Sequence, residues 1–234
     1  ALTGDAYRMG IDPKDQRRMM NESLDAVVRL LDGEVVTEST DWFTLNEAQL
    51  QLRCYQRPRT EMAVACSYSP VGALAAGRHG LGMLSIGGTD DEALLHHRDN
   101  WQACEDAAKQ NGAVVQRKNW RVVAMMHIAE TRAKARENVR FGLEQWAQYF
   151  RDVPTFEIVP AGVQDAYEWM VETKSAVIGT PDDAIEYIET LLEGSGGFGS
   201  LMQLAHNWAD WEATKRNYEL IARYVFPHFQ GSNE

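Results

Sequence analysis

The sequence predicts a parallel α/β fold. Short apolar runs occupy Met62–Cys66, Leu81–Ile86, Arg121–Ile128 and Ser200–Ala205, and a helical pattern follows each one. The connections are long enough for the crossovers that parallel strands require. A doubly wound sheet and a barrel both satisfy these observations. With 234 residues and 44% hydrophobic content, the chain can fill one sizeable core, and a single domain over 1–234 is expected.

The elements follow in order. Asp12-Pro13 offers an N-cap and a first-turn proline, and Leu24, Val27, Val28 and Leu31 recur at helical spacing until Gly33. The stretch from Val35 to Leu52 mixes β-branched, aromatic and polar residues and reads as a loose hairpin-like insertion closed by Arg57-Pro58. Met62–Cys66 is then a strand, Ser69-Pro70 a tight loop, and Val71–Arg78 a helix. Leu81–Ile86 repeats this pattern, with Thr89-Asp90-Asp91-Glu92 as a capping box for a helix running to about Gln110. Arg121–Ile128 repeats it again, ahead of one helix from about Glu130 to Phe150.

After Pro154 a less regular connector holds a helical patch from Asp165 to Val171. Thr180-Pro181 starts the next helix, which carries Ile185, Ile188, Leu191 and Leu192. Gly194–Gly199 reads as a flexible turn, because it lies between helix and strand whereas a phosphate cradle needs glycines between strand and helix. Ser200–Ala205 is expected to be a last buried strand, and Asp210 to cap the closing helix with Leu220, Ile221, Tyr224 and Val225.

Charge and motifs exclude several functions. With 23 Lys+Arg against 34 Asp+Glu the net charge is −11, which repels phosphate backbones, so no nucleic-acid partner is expected. Cys54, Cys66 and Cys104 are odd in number and lack CxxC spacing, which fits neither a disulfide framework nor a zinc ribbon. No run approaches the ~18–20 apolar residues of a membrane span, so a cytoplasmic protein with no membrane partner is expected. GxGxxG, GxxxxGK[ST] and GxSxG are all missing at the positions that dinucleotide, P-loop and α/β-hydrolase folds demand.

Ligands of α/β folds gather at the carboxyl ends of the strands, and that filter selects a few residues. Cys66-Ser67-Tyr68-Ser69 leaves a strand and opens a helix, offering hydroxyls and unpaired N–H groups to a phosphate, although Ser69 can equally serve only as a cap. Cys66 has no neighbouring histidine to activate it and reads as a pocket-lining thiol. His127 and His206 end strands and can face a shared substrate pocket, with Trp208 beside His206. For His127 a half-buried structural role competes, and His206 is the better catalytic candidate. His96 and His97 read as surface residues with no carboxylate spaced to complete a metal face. Glu130, Asp182 and Asp183 sit in first turns, where the helix dipole accounts for them.

Taken together, Glu61–Pro70, Gly72–Gly77, Gly80–Ser85, Val177–Ala184, His206–Trp211 and Tyr224–His228 resemble the bacterial luciferase-like, flavin-dependent monooxygenases, and most closely their limonene monooxygenase-like subgroup. The resemblance runs over nearly the whole chain. It implies a (β/α)8 barrel of TIM type with roughly its second half present, Ala1–Ala6 resembling the loop after the fourth strand. It also implies reduced FMN, delivered by a separate NAD(P)H:flavin reductase, with its phosphate at Cys66, Ser67, Tyr68 and Ser69. The reaction implied is oxidation of a small apolar organic substrate by O2. An F420-dependent oxidoreductase of the same fold and a non-catalytic flavin-binding relative are the alternatives. The family's histidines near the flavin ring lie on earlier strands and have no counterpart here. A half-barrel exposes a sheet edge and apolar interior, so a homo-oligomer is expected.

Overall fold

The computed structural model describes residues 3–153 and 157–230; Ala1-Leu2 and the start of the connector at Pro154 lie outside the described residues. Two helices come first, α1 (Thr3–Arg8) and α2 (Gln16–Leu31). Thr3–Ala6 is therefore helical rather than loop: Asp5 lies in the first turn, Arg8 in the last, and their side chains approach to 3.8 Å. Helix α2 starts after Asp15, not Asp12. The Asp12 carboxylate instead accepts from the Lys14 N–H at 3.0 Å, which holds the chain in a turn around Pro13.

The insertion is an antiparallel hairpin of β1 (Val36–Ser39) and β2 (Thr44–Ala48). The α/β units follow: β3 (Ala63–Cys66), α3 (Val71–His79), β4 (Gly82–Ile86) and α4 (Asp91–Gln110). The N-cap of α4 is Asp90, which accepts from the Ala93 N–H, so the cap sits one residue beyond the expected Thr89. The expected strand Arg121–Ile128 is two strands, β5 (Trp120–Ala124) and β6 (Met126–Ile128). The Ala124 carbonyl accepts from the Leu204 N–H and the Met125 carbonyl from the Val177 N–H, each at 2.9 Å, so the chain changes pairing partner at Met125.

The single helix expected from Glu130 to Phe150 is likewise two, α5 (Arg132–Val139) and α6 (Leu143–Asp152). Gly142 separates them, packed so tightly on the Asn207 carbonyl that a Cβ has no room, and its N–H donates to the Trp208 carbonyl at 3.0 Å. After α7 (Ala166–Glu172), residues Val177–Gly179 form β7, a strand beyond those expected. Then come α8 (Pro181–Ser195), β8 (Ser200–Gln203), α9 (Trp211–Leu220), a π-helical turn over Ile221–Val225, and α10 (Phe226–Gln230). Helix α8 has the full capping box, Thr180 and Asp183 each satisfying the other's backbone N–H. The glycine turn after α8 is pinned rather than loose, because Arg117 donates to the Ser195 and Gly197 carbonyls at 3.0 and 2.7 Å.

All strand pairs outside the hairpin are parallel. The main sheet has the order β3-β4-β5-β8, and β6 pairs with β7. One sheet face carries Val64, Met83, Trp120 and Val122, packed with residues of α3, α4 and α8 into the larger core. The opposite face carries Ala63, Ala65, Ile86 and Met202, all exposed. Strand β8, expected to be buried, alternates between exposed and half-buried because it pairs only with β5 among the described residues. A second core around Met125, Trp146, Met170 and Trp208 sits under α5, α6 and α7.

Candidate functional site

The Ser67–Pro70 loop turns the end of β3 into α3. Gly72 lies directly over β3, where a Cβ would collide with the Ala65 carbonyl, so the helix N-terminus is drawn down onto the strand end. From the other side, Asn100 on α4, itself buried, donates to the Ser67 carbonyl at 2.7 Å. The first N–H groups of α3 have no intrahelical acceptors. Ser69 Oγ accepts only a long bond, 3.4 Å, from the Val71 N–H.

Two cavities meet at this loop. The first, about 320 Å³, is bordered by Cys66, Ser67 and Tyr68, the β4 end at Ser85–Gly88, the first turns of α4 with His96 and His97, and Met125 and Trp169 across from them. The second, about 440 Å³, is bordered by Ser67 and Ser69, the start of α3, Lys14 in the turn before α2, and Arg17 in the first turn of α2. The four residues expected to act together thus divide: Cys66 and Tyr68 face one cavity, Ser69 the other, and Ser67 both. Two cationic side chains, two hydroxyls and a helix N-terminus form a donor set that fits a phosphate monoester. The first cavity is walled mainly by apolar atoms, which suits an aromatic ring or an apolar organic molecule. Burial pushes the Cys66 thiol up to about 12, helped by nearby Cys104, so it is a neutral thiol at the cavity wall.

His96 and His97 are not surface residues. His97 is 4% exposed, and burial lowers its pKa to about 4, with His96 adding to the effect. Its Nε2 has no hydrogen-bond partner, and its ring sits edge-on to Trp120. His96 meets the ring of Tyr68 edge-on at 5.0 Å between centroids. No group of three or more His, Cys, Asp or Glu side chains could hold a metal ion among the described residues.

His127, His206 and Trp208 form a separate cluster that does not border either of these cavities. The two imidazoles do come together, 6.4 Å between centroids, but His127 and Trp208 are fully buried. Asn138 Nδ2 donates to His127 Nε2 at 3.2 Å, leaving Nδ1 without a partner. His206 stacks on the Trp208 ring at 3.9 Å. Its Nδ1 accepts from the Trp208 N–H at 3.4 Å, which puts the proton on Nε2, and Nε2 donates to the Met126 carbonyl at 3.0 Å. Burial pushes the pKa of both histidines down, His127 to about 4. Glu130 and Asp183 are engaged by arginines: Glu130 by Arg216 at 2.7 Å and Asp183 by Arg132.

Sequence reasoning missed Lys14, Arg17, Ser85, His97 and Asn100. Ala93, His97, Trp101, Cys104 and Ala108 share one helix face, and that spacing places His97 on the buried stripe rather than the surface. Ser85 accepts from Trp120 Nε1 at 3.0 Å and is buried near the end of β4. Lys14 and Arg17 precede the loop they face by about fifty residues, and no local pattern connects them.

The chain is 41% identical over 231 residues to limonene 1,2-monooxygenase of Rhodococcus erythropolis, with 98% of this chain and 59% of that protein covered. It is 36% identical over 245 residues to 4-hydroxyprotoasukamycin monooxygenase of Streptomyces nodosus subsp. asukaensis, covering 99% and 64%. The chain therefore spans about three fifths of the length of these curated relatives. Its fold matches the oxygenating constituent of 3,6-diketocamphane monooxygenase from Pseudomonas putida, a type II Baeyer–Villiger monooxygenase solved with FMN. That match has a TM-score of 0.68 at 21% identity, covering 97% of this chain and 68% of that one. Residues 4–197 match the luciferase-like monooxygenase family model, and the chain belongs to that family, with its TIM-barrel type of α/β fold.

Proposed function

We propose that this chain supplies the flavin-phosphate and part of the substrate site of an FMN-dependent, two-component monooxygenase, which oxidises a small apolar organic molecule with O2. The observation that carries the reading is the pair of cavities joined at Ser67, one cationic and hydroxyl-lined, the other largely apolar. Family membership and the FMN bound by the diketocamphane monooxygenase constituent support it. When bound, reduced FMN supplies the electrons for oxygen activation, and a separate NAD(P)H:flavin reductase delivers it.

The protein's own contribution is binding, orientation and exclusion of water. Lys14, Arg17, Ser67, Ser69 and the α3 N-terminus hold the phosphate. Asn100 fixes the loop that presents them. Cys66, Tyr68, Met125 and Trp169 provide walls that keep water from the reacting end. Cys66 adds no charge, since its thiol stays protonated.

Anaerobic titration of the chain with reduced FMN, followed by flavin fluorescence, tests the reading. Saturable binding in the micromolar range is expected, weakened at least tenfold in the Ser67→Ala/Ser69→Ala double variant with the fold intact. Unchanged affinity in that variant removes the phosphate assignment. Binding of F420 without FMN replaces the monooxygenase with a deazaflavin oxidoreductase.

A further inference from the structure

Trp169 stands between the apolar cavity and the second core. It is the largest side chain on the cavity's border, and it packs at the same time against the core around Met125, Trp146 and Met170. Its helix accounts for both contacts. Ala166 and Met170, four residues apart, bury one stripe of α7, and Trp169 lies at the edge of that stripe. A seven-residue helix does not hold itself in water, yet this one is tied at both ends. At its start Asp165 accepts from the Glu168 N–H at 3.1 Å, and Glu144 of α6 accepts from the Ala166 N–H at 2.8 Å. Arg136 of α5 pairs with Asp165 and Glu168 and covers the Tyr167 ring at 4.7 Å. At its end the Thr173 hydroxyl donates to the Trp169 carbonyl at 2.8 Å. Trp169 is thus a fixed wall, whereas Tyr68 across the cavity is 62% exposed and has solvent to swing into.

We propose that Trp169 sets the size of the substrate, restricting the apolar cavity to compact single-ring molecules and rejecting those extended by a second ring. The inference deepens the proposed function by naming the substrate class, and rests on it only in treating this cavity as the substrate's place. A cavity of about 320 Å³ lies at the lower limit of the about 300–1,000 Å³ usual for ligand sites, so one fixed indole decides how long its occupant can be. The rejection is steric. A close-packed wall that cannot withdraw meets a longer molecule with a clash, and a clash against the competitor gives specificity as effectively as a contact to the preferred ligand.

The test compares 4-methylcyclohexanone with 4-phenylcyclohexanone, which differ by a benzene ring in place of a methyl group, with affinities measured by isothermal titration calorimetry. The unaltered chain is expected to bind the methyl compound more tightly. Trp169→Ala opens a void on the order of 150 Å³, the size at which an engineered apolar cavity takes up benzene, and should raise the phenyl-to-methyl affinity ratio about tenfold or more. Trp169→Phe leaves a smaller gap and should raise the ratio about threefold. Tyr68→Ala should weaken both probes together and keep their ratio, because that side chain already yields. Equal binding of the two probes by the unaltered chain, an unchanged ratio in Trp169→Ala, a ratio that rises as much in Tyr68→Ala, or no binding of either probe overturns the inference. Should Trp169→Ala fail to fold, Trp169→Phe decides, an unchanged ratio again counting against the proposal. A parallel titration with reduced FMN separates the two readings: Trp169-dependent size selection without FMN binding sinks the flavin assignment and keeps this one, and FMN binding without size selection sinks only this one.

Discussion

Asn100 reaches from the third turn of one helix to the loop before another, and its amide donates to the Ser67 carbonyl at 2.7 Å. Ser67 is the residue shared by both cavities, so a single half-buried hydrogen bond ties the loop between the cationic site and the apolar one to α4. Gly72 works toward the same end from the other side of the loop by letting α3 descend onto β3.

Asn100→Ala removes the donor and leaves the Ser67 carbonyl to find water. We expect a loss of about 0.5–1.5 kcal/mol in stability, the net worth of one hydrogen bond whose acceptor can turn to water. Reduced-FMN binding should weaken as well, because the loop that offers Ser67 and Ser69 is no longer held. Urea denaturation beside flavin titration checks both; a variant that loses stability but binds flavin unchanged would show that Asn100 does not position the loop.

Gly72→Ala tests the close approach of helix and strand. The added methyl group must displace either the Ala65 carbonyl or the first turn of α3. Overpacking of this kind costs about 1–3 kcal/mol, and more where the obstacle is backbone. Gly10→Ala is a control, since a Cβ there meets no atom within 4 Å, although its φ of +70° carries a smaller strain of its own. Thermal unfolding should rank Gly72→Ala well below Gly10→Ala, and equal midpoints would refute the argument.

Much of the fold was legible because the apolar runs and their caps are local signals. Thr180-Pro181 marked the start of α8, and Met62–Cys66 marked β3, since both rest on residues a few positions apart. What stayed illegible depends on distant neighbours. Nothing near Met125 announces that the strand changes partners there, because the cause is the placement of Leu204 and Val177. Gly142 breaks a helix only because Asn207 and Trp208 pack against it. The site divides the same way. The Cys66–Ser69 loop stood out as a strand-to-helix junction, but its cationic partners Lys14 and Arg17 arrive from α2 and the turn before it, and His127 and His206 belong to a packing cluster that only the fold reveals.

Acid should destabilise the chain earlier than carboxylate titration alone predicts. Burial holds His97 and His127 near pKa 4, against 6.5 for the free side chain, and lowers His206 as well. Depressed histidines bind protons more readily in the unfolded chain, so their contribution to stability is complete above pH 6.5 and fades as pH falls toward 4. His97 and His127 together should cost about 4 kcal/mol, roughly 2 each, between pH 7 and pH 5. Guanidinium denaturation at the two pH values measures the difference; equal stabilities would mean the histidines are solvated.

His206 offers the sharpest separation of packing from chemistry. Both of its nitrogens are used within the protein, Nε2 on the Met126 carbonyl and Nδ1 on the Trp208 N–H, and one face of the ring is covered by Trp208. A proton transfer to substrate would have to break one of these bonds, and the ring does not border the cavity that holds Cys66 and Tyr68. His206→Ala is therefore expected to lower stability by about 1–3 kcal/mol, through the lost hydrogen bond and stack. Reduced-FMN affinity should be unaltered, and so should oxidation per folded molecule in an enzyme assembled to full activity. His206→Gln, which can still donate to the Met126 carbonyl, should recover part of the stability. A His206→Ala protein that unfolds at the original denaturant concentration but has lost oxidation would restore the histidine to the reaction and place the substrate on this side of β6.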